Sequence, residues 1–174
     1  MALVVAQEVP TSSIMAVPHG PAGVGEARHR MRKDLRSSGV PDPVIDDAVL
    51  ILSELLSNAY RHGRPLPREN GAAGGSGPED GGGIRAAWRV DERGRLTVEV
   101  TDGGGPTRPV PATPSVTARG GRGLNIISAL SQDWGVRDAS GEVTVWAALS
   151  ARAGFATRVE PVPELAFPEL DGLL

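Results

Sequence analysis

The sequence predicts an α+β domain: a two-layer α/β sandwich with helices on one face of a mixed, mostly antiparallel sheet. Three observations carry this. Two stretches of helical periodicity come early, two strand–turn–strand stretches come late, and a short apolar helix lies between the hairpins. No strand–helix–strand alternation runs through the chain, which argues against a Rossmann-type sheet. A length of 174 residues suits one domain with its own core. With 40% apolar but only 3% aromatic residues, that core must be mostly Val, Leu, Ile and Ala.

The elements follow in order. Residues 1–12 read as a loose leader, and the domain is expected over 13–150. "SSIMAVP", closed by Pro18, reads as a first strand. From Val24 to Leu35, the apolar positions Val24, Ala27, Met31 and Leu35 fall at helical spacing, and Gly39 reads as the stop. A second helix is punctuated by Asp42 as N-cap, Pro43 in the first turn, and Gly63 with Pro65 at its end. Its buried stripe is Ile45, Ala48, Val49, Leu52, Leu55, Leu56 and Ala59, which leaves Glu54 and Asn58 together on another face.

Residues 66–83, Gly-rich and containing Pro and Glu, read as a flexible insertion. Alternation at Ile84, Ala86, Trp88 and Val90, then at Leu96, Val98 and Val100, predicts a hairpin turning at "DERGR". The stretch 106–119 carries Pro106, Pro109, Pro111 and Pro114 and reads as a loop. A glycine-opened helix over Leu124 to Leu130 follows, then a second hairpin of "DWGVRD" and "VTVWAAL" around "ASGE". Residues 151–174, proline- and acid-rich, read as a tail disordered by itself.

Bulk properties narrow the function. A net charge of −3 and a pI near 5.6 provide no basic footprint for nucleic acid. With no cysteine there is no disulfide, thiolate metal site or Cys nucleophile. No apolar run is long enough for a membrane span, and the start lacks the pattern of a signal peptide, so the expectation is a cytoplasmic protein.

Three segments carry chemistry: "ELLSNAYRHG" from Glu54, "VTDGGGP" from Val100, and "GGRGLNIIS" from Gly120. The first offers a carboxylate and an amide one helical turn apart. Taken alone, such a pair is usually a solvated helix face. Taken with the others, the amide can ligate Mg²⁺, which keeps several waters and needs few protein ligands, and the carboxylate can accept a proton. Asp102 follows an apolar strand and precedes glycines, so it is either a turn former or an acceptor for a ring amine. Gly121-Arg122-Gly123 opens a helix, where free N–H groups attract phosphate and bare glycines permit close approach. No Walker A sequence is present, since the only lysine is Lys33. Arg119 and Arg122 are the nearest cations for phosphate, or else solvated surface.

The order Glu-x-x-x-Asn, Asp-x-Gly, Gly-x-Gly resembles the N, G1 and G2 boxes of the GHKL (Bergerat-fold) ATPases, and most closely their small anti-sigma-factor serine kinases. This resemblance implies that ATP and Mg²⁺ are bound. Glu54 would be the general base and Asn58 the Mg²⁺ ligand. Asp102 would read the adenine amine, with Gly104 in its loop and Thr144 in support. Arg119, Gly121, Arg122, Gly123 and Leu124 would lie around the phosphates. Pro106 departs from the pattern, standing where the family has a further glycine. The implied role is a protein serine kinase that switches between a sigma factor and an anti-sigma antagonist, with a homodimer possible. The alternative is a regulator that binds ATP and docks such partners without phosphoryl transfer.

Overall fold

The computed structural model describes residues 11–18, 20–66, 82–106 and 122–152. The elements run β1 (Thr11–Val17), α1 (Pro21–Ser37), α2 (Asp42–His62), β2 (Ile84–Val90), β3 (Arg95–Asp102), α3 (Arg122–Leu130), β4 (Asp133–Ala139) and β5 (Glu142–Ser150). The five strands form one sheet in the order β1-β2-β3-β5-β4. Side chains from the three helices meet one face of it in a single core. The two-layer sandwich is therefore as expected.

One detail of the sheet differs. Every strand pairing among the described residues is antiparallel, so the sheet is not mixed. The reason lies in the connections. A single crossover helix would return the chain for a parallel strand, but β1 and β2 are joined through two helices that run opposite ways. The chain therefore re-enters beside the end of β1, where Val17 faces Ile84 across the ladder. Tyr60, near the end of α2, donates its hydroxyl to Pro18 O at 2.9 Å and ties that corner. Strands β3 and β4 do run the same way across α3, but β5 lies between them.

Local chemistry explains the helix boundaries. Helix α1 buries Ala27, Met31 and Leu35, four residues apart, so one stripe meets the core. It stops in a Schellman motif: Gly39 N–H reaches Arg36 O and Val40 N–H reaches Leu35 O, both at 3.0 Å, with Gly39 at φ 75°. The whole expected stripe of α2 is buried, joined by Val44 and Ile51. Its start is shifted from expectation. Pro41 holds the cap position, and Asp42 is the first helical residue. The Asp42 carboxylate does not cap the helix; it accepts from Arg36 Nε at 3.0 Å. An acid in the first turn still favours the helix through its dipole.

The sheet obeys a period of two. Leu96, Val98 and Val100 of β3 and Val145, Ala147 and Leu149 of β5 enter the core. The alternate residues form the other face, where Thr101 and Thr144 share a hydrogen bond of 2.8 Å and Arg137 donates to Glu99 at 2.6 Å. Both hairpins turn where expected. Asp91 Oδ1 accepts from Arg93 N and Arg95 N, which holds its carboxyl below the ordinary range. Ser140 and Gly141, both at positive φ, make the second turn.

Candidate functional site

The C-terminal half of α2 lies between the end of β3 and the start of α3, and this places two of the three sequence segments against the first. At one end stands Asp102, the last residue of β3. Its side chain is on the helix-covered face and only 8% exposed. Oδ1 accepts the Gly104 N–H at 2.7 Å. Gly104 sits at φ 74°, which brings its N–H back toward the strand end. The chain beyond is bound to the exit of α2, with Arg64 N–H donating to Gly104 O at 2.8 Å and Gly103 N–H to Arg64 O at 2.7 Å.

Gly63 completes this corner. Its backbone is extended, so conformation does not demand glycine. The demand is steric: a Cβ at Gly63 would overlap the Asp102 carboxylate. Sequence reasoning took Gly63 only as a helix stop, because its closeness to Asp102 is a tertiary fact with no local signature. Burial raises the pKa of Asp102 above the ordinary 3.8, and the Gly104 N–H opposes that shift. A carboxylate held at such a cost gains from a further donor brought to its rim.

At the other end, α2 meets the first turn of α3. Glu54 and Asn58 are half-buried on the face one turn apart. Gly123 lies against both: a Cβ there would sit 2.6 Å from Glu54 Oε2 and 3.5 Å from Asn58 Nδ2 and Oδ1. From Glu54 to Gly63 the helix rises about 13 Å. Along one helix, then, a carboxylate–amide pair near a helix N-terminus is followed by a buried acceptor.

The other candidate residues fall in different places. Arg119 and Gly121 lie outside the described residues, as do His19, the leader to residue 10, positions 67–81 of the insertion and the tail from 153. Arg122 is the first residue of α3. Leu124 is buried in the core, which leaves only its backbone for a ligand.

Thr144 is not brought to Asp102. It pairs with Thr101 on the opposite face of the sheet. The residue across from Asp102 is Val143, and its Cγ2 would be 3.5 Å from a Cβ on Gly104. A shift of one position along a strand reverses the face, and sequence alone did not supply the register. Among the described residues no group of three or more His, Cys, Asp or Glu could hold a metal. No helix there is long and apolar enough to cross a membrane.

The family model of the histidine kinase-like ATPase domain matches residues 17–149, most of the chain. The chain belongs to this family. No curated protein matches it. Among solved structures, the chain is similar in fold to the RsbU and RsbW domains of Rv1364c from Mycobacterium tuberculosis. The TM-score is 0.55 and the identity 19%, over 80% of this chain and 32% of that one. The likeness thus spans about a third of that solved chain. The match covers all three helices and all of the sheet except most of β1 and the end of β5, and with them both ends of the α2 site.

Proposed function

We propose that this histidine kinase-like ATPase domain binds Mg-ATP and acts as a protein serine kinase of the anti-sigma type. The observation that carries the reading is the line along α2: Glu54 and Asn58 against the start of α3, and buried Asp102 at the far end. Asp102 accepts a hydrogen bond from the exocyclic amine of adenine, with Gly104 and Gly63 shaping the rim. Backbone N–H groups at the start of α3, from Arg122, Gly123 and Leu124, face the phosphates, with Gly121 and Arg119 just before them.

Asn58 fits as a ligand for Mg²⁺, since its amide is accessible, has a carboxylate beside it, and such an ion takes few protein groups. The ion would offset phosphate charge. Glu54 accepts the proton of an attacking serine hydroxyl as its oxygen bonds to the γ-phosphorus and the bond to the ADP oxygen breaks. The anti-sigma role, with a sigma factor and an antagonist as partners, draws its support from the three-box resemblance. The fold shared with a protein that carries an RsbW domain agrees with it.

The test uses the purified chain, labelled ATP and a candidate antagonist protein. Glu54→Ala is expected to lower transfer by about 10²–10⁴-fold without weakening ATP binding, because a proton acceptor acts in the transition state. Asn58→Ala is expected to reduce the Mg²⁺ dependence of binding as well. Tight ATP binding by the wild type without phosphoserine formation would replace the kinase by a non-catalytic docking regulator. A Glu54→Ala chain that transfers at the native rate would remove the general base.

A further inference from the structure

Gly123 has helical backbone, at which any L-residue is comfortable, so its conformation does not require glycine. What occupies the space of its missing Cβ is the Glu54 carboxylate: a Cβ 2.6 Å from Oε2 would force that carboxylate, the far end of a flexible side chain, to move elsewhere. The 3.5 Å approaches to the Asn58 amide are ordinary contacts. Neither helix is free to retreat. Leu52, Leu55 and Leu56 on α2 are buried around Glu54, and Leu124, Ile127 and Leu130 anchor α3.

We infer that Gly123 is a positioning residue for Glu54: its bare Cα lets the first turn of α3 close on the carboxylate and sets where that carboxylate stands. The glycine of this box thus serves a side chain of the protein as well as any phosphate that approaches the helix. This extends the kinase reading, because it says what holds the proton acceptor in place. The steric half of the inference stands independently of phosphoryl transfer.

A thermal double-mutant cycle on the full chain tests it. Gly123→Ala is expected to be less favourable for Tm when Glu54 is present than when it is absent, because the displaced carboxylate offsets what Ala gains over Gly in a helix. In a Glu54→Ala chain the same substitution meets no carboxylate. There it should leave Tm unchanged or raise it, because Ala favours a helix over Gly. In an Asn58→Ala chain the wild-type response should persist. An equal change of Tm with and without the Glu54 carboxylate overturns the inference.

The functional arm reads transfer at saturating Mg-ATP. Gly123→Ala should lower the rate constant more than it raises the KM for ATP. In a Glu54→Asp chain, whose carboxylate is withdrawn by one methylene, Gly123→Ala should cost no further rate; a full further loss there contradicts the positioning role. Absence of transfer in the wild type would end the kinase reading, and the thermal cycle would still decide the role of Gly123.

Discussion

Asp102→Asn is expected to strengthen the empty domain and weaken its hold on ATP, and the two opposite signs come from one side chain. Asn is nearly isosteric with Asp, so an amide oxygen can keep the 2.7 Å bond from Gly104 N–H and still fit against Gly63. What changes is charge and donor character. Burial raises the folded pKa of Asp102 above 3.8, so the ionised form is disfavoured in the folded state. The sign for stability follows from linkage: the contribution of this group is complete below about pH 3.8 and is lost as pH rises through the raised folded value. The Asn chain has no such loss. Its Tm should therefore exceed that of the wild type by a margin that opens as pH climbs out of the acid range toward neutrality.

ATP affinity should move the other way. An amide that has committed its oxygen to Gly104 presents an N–H₂ donor to the adenine amine, and two donors face each other. An unpaired polar group at a buried site costs about 1–3 kcal/mol, which is roughly five- to 150-fold in Kd. Scanning fluorimetry from acid to neutral pH reads the first effect, and calorimetry with Mg-ATP reads the second. A Tm difference that does not vary with pH would refute the burial argument. An unchanged Kd would remove Asp102 from the nucleotide site.

The remaining predictions concern neighbours of that corner and the core beneath it. Gly63→Ala should displace the Asp102 carboxylate, with a loss of about 1–3 kcal/mol from the broken Gly104 bond, partly offset by the stiffer unfolded chain, and should weaken ATP binding; native Tm and Kd together would show that the corner relaxes freely. Thr144→Val removes the partner of Thr101 on the sheet face opposite Asp102 and should cost about 0.5–1.5 kcal/mol in urea unfolding. Its ATP affinity should stay native, and a clear loss would return Thr144 to the site. Leu52→Ala empties a fully buried position of α2 and should cost about 2–5 kcal/mol by the same assay; a loss under 1 kcal/mol would mean the helix is not seated as described.

Much of the fold was legible because its causes are local. The seven apolar residues of the α2 stripe lie at helical spacing, Gly39 supplies the left-handed stop of α1, and the turns at Asp91–Gly94 and Ser140–Gly141 carry residues suited to them. The three chemical segments could be read for the same reason, since each is short and each depends on its own backbone setting. Other features depend on which distant segments meet, and no local pattern encodes that. Strand β2 returns antiparallel to β1 because two helices, rather than one, separate them, and β5 lies between the like-directed β3 and β4. Thr144 turns away from Asp102 because the register pairs Asp102 with Val143, and a strand's faces alternate at every residue. Gly63 and Gly123 read alone as a helix stop and a phosphate-binding glycine. Only the packed chain shows that each also leaves room for a carboxylate, Asp102 and Glu54, because close approach is a property of pairs far apart in sequence.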